Sequence, residues 1–210
     1  MRNHVLLKDW SEKWDQPEER DRLSNVHERL TIRYNEPHRY YHTLDHIAAC
    51  LDEFSRAENL IPHSFEVWLA IWFHDVVYDP KAHDNEERSI EYARKALEGI
   101  ACDNALDRVS RLIMVTKHDI PARENDEKFI ADIDLAILGR ERNIFDDYEK
   151  GVRLEYAWVP DDRFSKGRLD LLVGFLERDS IYQTDYFRGK YEEKARANLR
   201  LSIKMLEKGG

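Results

Sequence analysis

Turn-forming residues are scarce: the 210-residue chain holds eight glycines and six prolines. A strand-rich fold needs a tight turn about every 8–12 residues, so this shortage disfavours one. The two cysteines, Cys50 and Cys102, form no C-x-x-C pair. That excludes a zinc ribbon and a disulfide scaffold, and both thiols are expected to be reduced. No apolar run approaches the roughly 20 residues of a spanning helix. Met1 to Asp15 is mixed and polar, so no secretory leader is expected and the expected compartment is the cytoplasm. Positive charge is in deficit, with 33 basic against 42 acidic residues and a net charge of −9. Such a chain is a poor partner for a nucleic-acid polymer or an anionic membrane surface. A local basic pocket for a small phosphorylated molecule stays compatible with it.

Apolar residues recur at helical spacing. Pro17 suits a helix first turn, with Leu23, Val26, His27 and Leu30 behind it. Pro37 to His42 breaks the pattern and reads as a loop. Thr43 is then an N-cap, and Ile47, Cys50, Leu51 and Phe54 are the buried stripe of the helix it starts. Ser64 is expected to cap the next helix. Val67, Trp68, Ile71 and Trp72 make that helix apolar on several sides, which predicts a central, buried position. Another helix is expected to start at Asp84–Glu87. The next runs through Leu106, Val109, Leu112 and Ile113 toward Lys117–Asp119, ahead of Pro121. Phe129 to Leu138, closed by Gly139, reads as one more, followed by a stripe at Ile144, Tyr148 and Val152. Pro160 and Gly167 are expected to bracket a loop before Leu169–Leu176, and Phe187–Leu206 is a long terminal helix. The expected fold class is all-α, one domain over residues 1–210. Its core is placed at roughly 18–140, with additional C-terminal helices at 141–210 packed on it. Leu199, Ile203 and Leu206 suit packing inside the chain or against a second subunit, which leaves a homodimer open.

Histidine is abundant and unevenly placed. Six of the nine, His38, His42, His46, His63, His74 and His83, fall between residues 38 and 83. His42 and His46 are one helical turn apart and can face one pocket. His74-Asp75 ends the apolar run of the central helix. Lys117-His118-Asp119 closes another helix, and Asp132 and Asp134 flank Ile133. Singly, each has an ordinary explanation: a surface histidine pair, a helix-end charge, a carboxylate paired with a lysine. Their coincidence is harder to dismiss. Trp72-Phe73-His74-Asp75-Val76-Val77 would bury the Asp75 charge, which costs several kcal/mol unless a partner or a cation offsets it. A mixed imidazole and carboxylate set suits Mn, Co, Ni, Zn or Fe and is too rich in nitrogen for a Ca or Mg cage. His4, His27, His38 and His63 lack such neighbours and read as surface or packing residues.

In chain order the residues are Arg39-Tyr40-Tyr41-His42-Thr43-Leu44-Asp45-His46, Phe73-His74-Asp75, Asn85-Glu86-Glu87-Arg88-Ser89, Thr116-Lys117-His118 and Asp132-Ile133-Asp134-Leu135-Ala136-Ile137-Leu138-Gly139. This order resembles the H…HD…D pattern of the HD superfamily. More narrowly, it resembles a group of metal-dependent phosphohydrolases within it. The resemblance is strong over residues 38–139 and weaker over Glu155-Tyr156, Arg168 and Asn198. It implies an HD-domain-like helical bundle with the metal between central helices, held by His46, His74, Asp75 and Asp134. The Tyr41-His42-x-x-x-His46 spacing also resembles the cyclic-nucleotide phosphodiesterases, where the first histidine is the general acid and the second binds metal. Those enzymes place another histidine soon after the HD pair. This chain has Val76-Val77-Tyr78 there, so a cyclic nucleotide is not supported as substrate.

The expected activity is hydrolysis of a small phosphate ester, a nucleotide or a related metabolite, by metal-activated water. His42 is the expected proton donor to the leaving oxygen. Glu86 is expected to orient the water, or else is helix N-terminal charge. His118 reads as a ligand to a second metal, a phosphate contact or a helix C-terminal histidine. Arg39, Lys117 and Arg168 are candidate phosphate clamps, though each alone reads equally as a solvated charge. His83 is a further candidate from the loop after the HD pair. The rival expectations are a non-catalytic module that binds metal and nucleotide, and a di-iron oxygenase on the same fold. The oxygenase needs additional imidazoles for a second metal, and only His118 and His83 are at hand.

Overall fold

The computed structural model describes residues 2–14 and 19–209, and every regular element among them is a helix. Pro17 lies outside the described residues. No described helix is long and apolar enough to cross a membrane. Two compact units divide the chain, Met1–Pro121 and Ala122–Gly210.

The first unit holds α1 (Arg2–Lys13), α2 (Arg20–Tyr34), α3 (Leu44–Ala57), α4 (Ser64–Phe73), α5 (Asn85–Ala96) and α6 (Asp103–Val115). Its centre is α4, where every residue from Val67 to Phe73 is buried. The neighbours α3, α5 and α6 pack on α4 from different sides, which is why the helix is apolar all round. Each large aliphatic or aromatic side chain so buried contributes about 1.5–3 kcal/mol. Helix α3 begins where expected, with the Thr43 hydroxyl accepting from the Asp45 amide at 3.3 Å. Ser64 does not cap α4. His63 precedes the helix without a side-chain cap bond, and Ser64 is its first residue. Helix α1 is absent from the sequence expectation. Among its described side chains Leu6 and Trp10 are buried, too short a stripe to stand out in a polar segment. Trp10 nonetheless anchors it, donating from Nε1 to the Leu23 carbonyl at 3.0 Å, lying tilted against Trp68 and meeting Trp72 edge-on.

The second unit holds α7 (Asn125–Asp134), α8 (Arg142–Glu155), α9 (Asp161–Glu177) and α10 (Asp185–Gly209), with a 3-10 turn over Leu135–Gly139. The expected helix through Leu138 therefore tightens after Asp134. Helix α10 lies against that turn, and the approach is close: a Cβ on Gly139 would stand 2.5 Å from Tyr191 Cβ. Asp132, 0% exposed, accepts from the Gln183 and Thr184 amides, each at 2.8 Å, and from the Thr184 hydroxyl at 2.7 Å. That fixes the start of α10. The expected loop between Pro160 and Gly167 is instead the first half of α9. Gly167 is exposed with nothing near it. Its presence costs the helix only about 1 kcal/mol, which the buried Arg168, Leu172 and Phe175 of α9 offset.

Candidate metal centre

Three side chains of the first unit converge. His46 comes from the first turn of α3, one helical turn below the Thr43 cap, and His74 and Asp75 follow directly on α4. His46 Nε2 and His74 Nε2 are 3.1 Å apart. Asp75 Oδ2 is 3.1 Å from His74 Nε2 and 3.6 Å from His46 Nε2. Both histidines are buried and Asp75 is half-buried. His74 Nδ1 lies 2.9 Å from the Ile71 carbonyl. A carbonyl only accepts, so Nδ1 carries the proton and Nε2 presents its lone pair to His46 and Asp75. This is the outer hydrogen bond that orients an imidazole ligand.

The donor triangle fits a divalent cation. A point about 0.9 Å off its plane is ~2.1 Å from all three atoms, an ordinary ligand distance for zinc or a similar ion. A single proton on His46 Nε2 could serve one facing lone pair well, not both. Burial pushes the Asp75 carboxyl up, but the imidazoles of His74, His42 and His46 outweigh burial and hold it well below the usual carboxylate range.

The turn that carries His74 and Asp75 is held from several sides. The Tyr34 hydroxyl donates to the Trp72 carbonyl at 2.9 Å. Arg39 NH1 donates to the Asp75 carbonyl at 2.7 Å and NH2 to the Val76 carbonyl at 3.1 Å. Both carbonyls lie in the turn just past the end of α4. Ser89 exchanges bonds with the Val77 amide and carbonyl, and Asn85 does the same with the Asp79 backbone. Asn85 and Ser89 are one turn apart on α5, so one helix face pins the whole segment after Asp75. Glu86 lies beside them, half-buried. Burial raises its pKa and the Asp75 charge adds to the rise.

His42 is half-exposed at the mouth of the site. Its ring stacks on Tyr78 at 4.2 Å, meets Tyr41 edge-on at 4.9 Å and stands 5.9 Å from the His46 ring. Lys117 Nζ donates to Glu87 Oε1 at 2.8 Å and to the His83 carbonyl at 3.0 Å, and lies 3.9 Å from Glu86 Oε2. His118 has a positive φ of 60°, the one non-glycine residue so placed among the described residues. It occupies the left-handed position just past α6 that glycine or asparagine usually takes. His83 contributes its backbone, while its side chain is exposed.

Two proposed phosphate clamps are committed elsewhere. The Arg39 side chain is 0% exposed, with donors spent on carbonyls and on Glu36 rather than on an open surface. Arg168 lies in the second unit, buried and bonded to Glu149 and to the Tyr148 hydroxyl. Its charge pairs with the half-buried carboxylate of Glu149 and its face covers the Tyr148 ring. Asp134 closes α7 in that same unit, half-buried.

Of the histidines set aside, His27 is buried against Trp10 and Trp72, His38 Nε2 meets the Tyr78 carbonyl at 2.8 Å and His63 is exposed. The side chain of His4 lies outside the described residues. Sequence reasoning missed Tyr34, Tyr78, Asn85 and Ser89 as supports. The Asn85–Ser89 spacing was the one available signal. It also missed Cys50, whose buried thiol sits 3.7 Å from His46 Nε2; the i,i+4 spacing from His46 announces that contact. Comparison with family models, with curated proteins and with solved structures finds no match.

Proposed function

We propose that this chain is a metal-dependent phosphohydrolase that acts on a small phosphate ester, a nucleotide or a related metabolite. One observation carries the reading: the donor atoms of His46, His74 and Asp75 form a triangle of 3.1, 3.1 and 3.6 Å, the spacing that a divalent cation's ligands adopt. Manganese, cobalt, nickel, zinc and iron all accept such a set. When bound, such an ion supplies an activated water, its pKa lowered to about 7 in favourable cases, and neutralises charge on a phosphoryl oxygen.

The chain's own groups do the rest. His42 holds a proton on its imidazole and delivers it to the leaving oxygen, its ring fixed by Tyr78 and Tyr41. Glu86, with its raised pKa, accepts or orients a water proton beside Asp75. Lys117 is the cation nearest Glu86 and serves as the phosphate contact. His118 supplies a second imidazole on that side. Arg39 and Arg168 support the structure rather than the substrate. A small anionic substrate suits a chain of net charge −9 better than a polyanion does, and the cytoplasm is the compartment this reading assigns.

The test is phosphate release from a panel of nucleotides and p-nitrophenyl phosphate, with each metal added to chelator-treated protein. Release that needs metal and vanishes in Asp75→Ala is the expected outcome. Metal-loaded protein that releases no phosphate from any member sinks the hydrolase reading and turns attention to ligand sensing or oxygen chemistry.

A further inference from the structure

We infer that Arg39 is a positioning residue that locks the loop bearing His42 to the turn bearing His74 and Asp75. The inference rests on the metal-site reading above and adds to it the device that sets the site's dimensions.

Four of the five guanidinium N–H groups have named acceptors. Nε donates to Glu36 Oε2 at 3.1 Å. NH1 donates to the His42 carbonyl at 3.1 Å and to the Asp75 carbonyl at 2.7 Å. NH2 donates to the Val76 carbonyl at 3.1 Å. One planar group therefore holds the backbone of the proton donor and the backbone of a metal ligand at a fixed distance, although the two residues are 33 positions apart in sequence. The Tyr34 and Tyr78 rings lie near its faces, 5.2 and 5.5 Å from the guanidinium carbon, and Tyr78 is the ring on which His42 stacks.

The shape of arginine matters here. A lysine would carry the charge, but its three donors radiate from one nitrogen and cannot span three carbonyls and a carboxylate laid out around a plane. Without the fork, the Asp75 and Val76 carbonyls past α4 lose their partner and the His42 loop loses its tie to the ligand turn. Glu36 aims the fork from the opposite edge. It also bonds Arg33 at 3.0 Å, so the carboxylate is itself held in place.

The test compares the full-length wild type with Arg39→Lys and Glu36→Gln, each checked for native far-UV circular dichroism and titrated with Co(II) alone. The visible Co(II) absorption reports affinity and coordination geometry without any substrate. In Arg39→Lys the affinity is expected to fall about tenfold or more, as when an outer-shell partner of a ligand is lost, with a changed band shape. Glu36→Gln, at a half-exposed position, is expected to shift both in the same direction by less, and it carries the test if Arg39→Lys does not fold. Wild-type affinity and band shape in the folded variants overturn the positioning role while leaving the metal site intact. Failure of the wild type to bind Co(II) overturns the metal reading and this inference with it.

Discussion

His46 and His74 are 28 residues apart in sequence, yet their Nε2 atoms stand 3.1 Å from each other with Asp75 Oδ2 closing the triangle. With the proton on His74 Nδ1 committed to Ile71, His74 Nε2 faces His46 and Asp75 with a lone pair.

His42 stacks on Tyr78 and meets Tyr41 edge-on, and its imidazole helps to hold the Asp75 carboxyl low. His42→Gln leaves the donors of His46, His74 and Asp75 in place and is expected to keep the metal while losing the proton donor. Turnover of a substrate with a poor leaving group is expected to fall by about 10²–10⁴, and that of an activated aryl phosphate by much less. Parallel metal analysis and kinetics check this. Loss of metal in the variant, or equal losses on both substrates, would place His42 in another role.

Asp132 gives a pH signature in the second unit. Burial pushes its carboxyl up to about 6, against the opposing bonds from Gln183 and Thr184. The folded pKa exceeds the unfolded value near 3.8, so the folded state binds the proton more tightly. The stabilisation this brings is complete below about pH 4 and is lost as pH rises through about 6. Wild type should accordingly lose up to about 3 kcal/mol relative to Asp132→Asn across that window. Urea unfolding of both proteins at several pH values measures the difference. Wild type that gains stability relative to Asp132→Asn as pH rises contradicts the assignment.

His118 sits in the left-handed region at φ 60°, which costs a residue with a Cβ about 1–2 kcal/mol. Glycine removes the strain but gains freedom in the unfolded chain. His118→Gly should gain about 0.5–1 kcal/mol of stability overall, read from the unfolding midpoint. If the imidazole serves the site, the same variant loses turnover while gaining stability. A destabilised variant would mean that the imidazole is held there by contacts worth more than the strain.

Legibility in the sequence followed the length and strength of each pattern. Helix α4 was legible because Ala70–Phe73, which alone could pass for a buried strand, has helical flanks that decide otherwise. Helix α3 was plain from Thr43 and its stripe. Helix α1 escaped because, among its described side chains, only Leu6 and Trp10 mark an inner face. Gly167 looked like a breaker because an isolated sequence does not show that its helix is anchored by Arg168, Leu172 and Phe175. The ligand-type residues of the candidate site were visible as a cluster of histidine and aspartate beside apolar surface. Their supports were not. Arg39 reads as a phosphate clamp until its acceptors, 36 and 37 residues away, are seen to be backbone carbonyls. Backbone acceptors carry no residue signature, so only the fold reveals them. Asn85 and Ser89 are hidden for the same reason, since both bind backbone groups.

The central claim is that His46, His74 and Asp75 hold a divalent cation, and metal analysis tests it most directly. Wild-type protein purified without chelators, and the same protein reconstituted with Mn, Co, Ni, Zn or Fe, would be compared with Asp75→Ala of matching circular dichroism. The expected result is about one tightly held ion per wild-type chain and loss of that ion in the variant. A wild-type chain that retains no metal after reconstitution, or a variant that retains it fully, would contradict the claim.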